Sequence, residues 1–153
     1  MIHLLAGKAM DTGKFLSTVK VFRKLDQDNL RMFSENVQVQ NFSKGKIIVE
    51  QGVPGEYLWI ICQGSVNINR KIDGKGEKVL ATLSPPDIFG EIALISKGPT
   101  TAAVRADEPC VVLRIPGEFV ASLLKKNLSA KASFSRTSIE RLTDNARKLF
   151  GKC

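Results

Sequence analysis

The chain has 153 residues and a single histidine, His3. A Ser-His-Asp or Cys-His mechanism needs an imidazole beside its nucleophile. A metal site in a β-barrel of the cupin kind uses several histidines. Neither can be assembled here, and GxxxxGK[ST], the phosphate-loop pattern, is also missing. The carboxylates are scattered over turns and helices, so no acid–base pair stands out. The expectation is therefore a protein that is not an enzyme and holds no metal. No apolar run approaches the roughly 20 residues of a membrane span, so no span is expected. The opening MIHLLAGKAM is too short and too weakly apolar for a secretory signal. Residues 1–14 are read as a tail, with Met10 as an alternative start, and a cytoplasmic location is expected. Of the three cysteines, Cys62 and Cys110 lie in the apolar runs LWIICQG and PCVVLRI. With Cys153 they match no metal knuckle or CxxC motif, and they are expected to be reduced structural thiols.

What is present suits one domain with a sizeable core. The hydrophobic share is 43% and the charged share 25%. The net charge of +8 is unevenly placed: residues 1–25 carry +4, residues 26–116 carry −1, and residues 117–153 carry +5. An acidic partner would meet the ends of the chain; the plainer explanation is solvated helix faces. No basic run is dense enough to argue for nucleic acid.

The hydrophobic period divides the chain into three parts, 15–36, 37–115 and 116–150. Phe15, Val19 and Phe22 recur at helical spacing, and Asp26 is placed to cap a second helix with Leu30 and Phe33 facing inward. From Val37 the period becomes two. VQVQNF, IIVEQ, YLWIIC, SVNINR, KVLATL, TTAAVRA and CVVLRI read as short strands separated by glycine-bearing turns. That spacing predicts a closed or rolled antiparallel β structure. From Pro116 the chain reads as helical again, with PGEFVASLLKKN and then a longer helix from about Ser129. Ala132, Ile139, Leu142, Ala146 and Leu149 form an apolar stripe. It either packs onto the β core or pairs with a second copy, which leaves a homodimer open.

FGEIALISKGPTTAAV, Phe89 to Val104, joins a tight turn, one helical turn, a loop and a strand. Gly90 lets a backbone approach closely. Glu91 opens the short helix EIALI, whose amides at Ile92 and Ala93 outline an anion site. Thr100 and Thr101 add hydroxyls at the same rim. A plainer reading stays open, in which Glu91 only favours the helix dipole and Gly90 only makes the turn.

The order of helices, GKIIVEQGVPGEYLWIICQGSV, a hairpin, DIFGEIALISKGPTTAAV and two further helices resembles the cyclic nucleotide-binding domain family over about residues 15–150. Gly45, Gly52, Gly55 and Gly64, with Tyr57 and Ile60, match the family's first half, and FGEIAL matches its phosphate-binding cassette. The resemblance implies a mainly β fold, an eight-stranded antiparallel β-roll of jelly-roll type, with N-terminal helices and C-terminal lid helices. It assigns Glu91 to the ribose 2′-hydroxyl and Gly90, Ile92 and Ala93 to phosphate oxygens, with Phe89 and Ala102 in the same cassette. Leu80 and Ala81 are the expected base contacts, and Arg136 and Ile139 the expected lid residues. The implied ligand is cyclic AMP, cyclic GMP or a related nucleotide or nucleoside, with no further cofactor. A protein effector is expected as partner, and no DNA-binding domain.

Two positions depart from that pattern. The family's cassette arginine, which pairs with the cyclic phosphate, is replaced by Thr100, and Pro86 stands where glycine is usual. Lys97, Arg105 and Arg136 are the candidate substitutes, although alternation on a strand would turn Arg105 away from Thr100. Cyclic nucleotide binding is therefore expected to be weakened. The readings that follow are a weakened cyclic nucleotide sensor, a pocket retuned to a nucleoside, and a ligand-free interaction or dimerisation module.

Overall fold

The computed structural model describes residues 2–5 and 8–150. Residues 1–14, expected to be a tail, include a small hairpin, β1 (Ile2–Leu5) with β2 (Lys8–Asp11). Asp11 ends it and caps α1 (Thr12–Leu16) by accepting from the Lys14 amide at 3.1 Å. The helix expected across Phe15–Phe22 is broken, because α1 stops at Leu16 and a 3-10 turn follows at Lys20–Phe22. Asp26 caps α2 (Gln27–Asn36) as expected, accepting from the Asn29 amide at 2.8 Å.

Eight strands make the roll. One sheet holds β3 (Gln38–Phe42), β10 (Cys110–Pro116), β5 (Tyr57–Gln63) and β8 (Ile88–Phe89), in that order. The other holds β4 (Ile47–Val49), β9 (Ala103–Ala106), β6 (Val66–Ile72) and β7 (Gly76–Leu83). All pairings are antiparallel. The two-residue β8 was hidden inside the cassette reading. TTAAVRA is a strand only from Ala103 onward.

Strand β5 shows how one apolar run serves two cores. Leu58 and Ile60 face a cluster with Phe22, Phe33, Val120 and Phe134, outside the roll. Trp59 and Ile61 face Phe89, Val104 and Val112, between the sheets. That is the two-residue side-chain period of a strand buried on both faces. Phe22 touches Phe33 and Phe134 at ring distances of 5.2 and 5.8 Å. The last helix is thereby tied to the first ones.

After the roll come α3 (Glu91–Ser96), which is part of the cassette, then α4 (Gly117–Lys126) and α5 (Leu128–Phe150). Asn127 caps α5 through the Ala130 amide at 3.0 Å. Among the described residues no helix is long and apolar enough to cross a membrane. Burial pushes the Cys62 thiol up to about 12 and raises Cys110 as well, so both stay protonated and unreactive near neutrality. Cys153 lies outside the described residues.

Gly64, in the β5–β6 turn, has φ +84, and a Cβ there would sit 2.4 Å from the Pro109 carbonyl. Gly64→Ala should cost about 2 kcal/mol or more, the left-handed penalty plus the overlap. Urea denaturation with an unchanged midpoint would show that the turn yields instead.

Candidate ligand site

The cassette is held open by what surrounds it. Gly90 has φ +89, and an added Cβ would lie 2.8 Å from the Tyr57 carbonyl and 3.2 Å from Trp59 Cδ1. Its freedom is thus required by the close approach of β5, a structural demand distinct from ligand access. Phe89 stacks on Trp59 with ring planes 2° apart. This sheet-bound turn aims α3 inward and buries its first residue, Glu91, to 1% exposure. Gly55 lets the preceding loop sit on Ala93.

A cavity of about 240 Å³ opens above this floor. Val49, Ile68, Ala81, Leu83 and Val104 wall it with apolar side chains from the second sheet. Phe89, Gly90, Glu91, Ile92 and Ala93 line one side, and Thr100, Thr101 and Ala102 continue it. The size lies just under the ~300–1,000 Å³ usual for small-molecule pockets.

Helix α5 borders the cavity, through residues other than those expected for a lid. Arg136 and Ile139 are exposed and do not line the cavity; Arg141, Asp144, Asn145 and Lys148 do. Arg141 donates from Nη1 to Glu91 Oε1 at 2.6 Å. Lys148 donates from Nζ to the Leu80 carbonyl. The correction has a helical cause. The buried face of α5 runs Ala130, Phe134, Ser138, and the same 3–4 spacing continues to Arg141, Asn145 and Lys148. The apolar stripe is on another face, leaving Ile139 64% and Leu142 47% exposed.

Leu80 also differs from expectation. The β6–β7 register shifts so that Ile68 pairs with Ala81 and Asn69 with Val79. Leu80 sits in the resulting bulge, 2% exposed and away from the cavity lining. Its carbonyl meets α5, while Ala81 lines the cavity as expected.

Thr100, at the arginine position, is buried and already committed. Its hydroxyl donates to the Glu50 carbonyl at 2.6 Å and accepts from the Val53 amide at 3.1 Å. Its backbone exchanges two further bonds with Gly52 and Val53. None of the expected substitute cations lines the cavity. Lys97 borders a different hollow, Arg105 donates to the Gly45 carbonyl at 3.1 Å, and Arg136 faces solvent. The cation that does reach the cassette, Arg141, comes from α5. A buried carboxylate's need for a partner was the signal that would have pointed there.

A family model for the cyclic nucleotide-binding domain matches residues 39–127, more than half of the chain. The chain belongs to this family. The cyclic nucleotide-binding domain is a regulatory binding unit, in keeping with the site. A cAMP-dependent protein kinase regulatory subunit from Mycosarcoma maydis is 33% identical over 93 residues, 61% of this chain and 18% of that protein. Among solved structures, the regulatory domain of Toxoplasma gondii PKA in co-crystals with cAMP is 25% identical, with a TM-score of 0.72. The match covers 84% of this chain and 47% of that one. The regulatory subunit of a cAMP-independent protein kinase A from Trypanosoma brucei has a TM-score of 0.75 at 24% identity, over 82% and 45% of the two chains. The domain thus spans less than a third of the length of the first curated relatives it matches. It spans under half of these two solved chains.

Removing Arg141 strands Glu91 in an apolar pocket. Loss of one partner of a buried pair costs about 3–5 kcal/mol, and the partial exposure of Arg141 moves the expectation for Arg141→Ala to about 2 kcal/mol. Adding Glu91→Gln should restore most of the loss in thermal melts. Additive single-variant losses would show the pair to be uncoupled.

Proposed function

We propose that this domain is a non-enzymatic sensor. It takes the base and ribose of a nucleotide or nucleoside into the roll and signals occupancy through α5. The observation that carries the reading is the cavity floored by Glu91 of the cassette and bordered by Arg141 of the last helix. Glu91 is placed to accept from a ribose hydroxyl, and the apolar wall from Val49 to Val104 suits a base. Ile92 and Ala93 of α3 line the same space.

Cyclic AMP or cyclic GMP fits this frame with weakened affinity. The cassette's phosphate cation is absent, and the Thr100 hydroxyl is spent on Glu50 and Val53. Fold likeness alone does not choose the ligand, since one neighbour is a cAMP co-crystal and another a cAMP-independent subunit. Thermal shift of the purified chain with cyclic AMP, cyclic GMP and neutral nucleosides tests the reading, because a ligand that binds only the folded state raises the melting point. Silence across the panel would overturn it. Thr100→Arg should tighten cyclic nucleotide binding in calorimetry by about 30-fold. That is the low end of a recovered charge pair, because the substitution also releases Glu50 and Val53.

The exposed Ile139 and Leu142 favour a second reading, in which a further copy of this chain covers that stripe and the domain serves as a dimerisation module. It predicts a dimer by light scattering that Leu142→Glu converts to monomer. A monomeric wild-type chain at the highest attainable concentration would rule it out.

A further inference from the structure

Arg141 does more than neutralise Glu91. We infer that Glu91 and Arg141 together form a donor–acceptor fork for a ribose vicinal diol, so the pocket selects an uncyclised, uncharged nucleoside over its 3′,5′-cyclic phosphate. The inference rests on the nucleotide-sensor reading above and adds the ligand class and the residue that selects it.

Three observations carry it. Glu91 is 1% exposed and its Oε1 is held by Arg141 Nη1 at 2.6 Å. A carboxylate has two acceptor oxygens and a guanidinium five donor hydrogens, so this pair retains both kinds of capacity. Second, the ionisable groups lining the cavity are Glu91, Asp144, Arg141 and Lys148, and their formal charges cancel. Third, Thr100, which stands at the cassette arginine's position, is uncharged and has its hydroxyl bonded on both sides.

A vicinal diol suits such a pair. One hydroxyl donates to the free Glu91 oxygen, its neighbour accepts from an Arg141 N–H, and the ion pair survives. A ligand that broke the pair would leave a carboxylate buried without a counter-charge. A 3′,5′-cyclic nucleotide has its 3′-oxygen esterified, so it presents one hydroxyl where two are wanted. It also adds a negative charge to a balanced pocket. Because Arg141 belongs to α5, the diol site is complete only when the lid is closed.

The test is calorimetry and thermal shift on the full chain. The probes are adenosine, guanosine, uridine and cytidine, 3′-deoxyadenosine and 3′-deoxyguanosine, and cyclic AMP and cyclic GMP. At least one purine nucleoside should bind more tightly than its cyclic phosphate, by about tenfold or more, and its 3′-deoxy form should lose about tenfold. In Arg141→Ala that deoxy penalty should collapse, and Arg141→Lys should recover part of it. The wild-type comparisons need no variant, so a misfolded Arg141→Ala leaves the inference exposed to refutation. A cyclic phosphate that binds more tightly than its nucleoside overturns the inference and leaves the sensor reading standing. So does a deoxy penalty unchanged in Arg141→Ala, or nucleoside binding strengthened by that variant. No response to any probe overturns both.

Discussion

A carboxylate shut inside an apolar roll needs a cation, and that requirement organises the C-terminal third of this domain. Glu91 is buried because the αL turn at Gly90, pressed against Tyr57 and Trp59, leaves α3 no other direction. In water the carboxylate would be solvated. Here the desolvation must be met by a partner in contact range. The roll supplies none, since the residue after Pro99 is Thr100, whose hydroxyl is bonded to another loop. The partner has to come from outside the roll, and α5 brings it. The placement of the second half of the last helix is in that sense a consequence of one buried charge.

Helix α5 is built in two halves to meet that demand. Its first half is ordinary core: Ala130 and Phe134 are almost fully buried, and Phe134 packs on Phe22. Its second half is held by polar contacts, Arg141 to Glu91 and Lys148 to the Leu80 carbonyl. Between them lies Ser138, whose buried hydroxyl has no hydrogen-bond partner among the described residues. An unsatisfied hydroxyl opposes docking by about 1–3 kcal/mol. Apolar burial anchors the start of the helix, while its end rests on interactions that a polar ligand can rearrange. On the proposed sensor reading, that gradient suits a lid that moves on a fixed hinge.

Much of this was legible in the chain. The switch from helical to two-residue period at Val37, the glycine turns and FGEIAL fix the roll and the floor of the site, because each depends on local spacing. Phe89 to Ala93, Thr100 to Ala102, and Ala81 all line the cavity. The lid residues were not legible, and the reason is physical. The apolar stripe through Ile139 and Leu142 reads as the buried face, since hydrophobicity is the usual guide to burial. The second half of α5 is set instead by the buried Glu91 carboxylate, so Arg141, Asn145 and Lys148 line the cavity while Ile139 stays out. Leu80 was misplaced for a related reason. A bulge adds one residue to β7, and strand alternation cannot reveal it.

In the proposed sensor, the sign of the switch follows from the fate of the ion pair. A ligand shifts a lid only by its differential affinity for the open and closed states. A ligand that bridges Glu91 and Arg141 keeps their attraction and adds its own contacts to the closed state, so it holds α5 down. A ligand that takes Glu91 for itself forfeits the attraction and must recover it elsewhere. In this pocket the remaining cation, Lys148, sits two turns further along the same helix, on the Leu80 carbonyl. Either way the compensating charge arrives on α5. In the proposed sensor, ligand chemistry and lid position are therefore a single equilibrium, where a cassette with its own arginine would allow the phosphate to be held with the lid open.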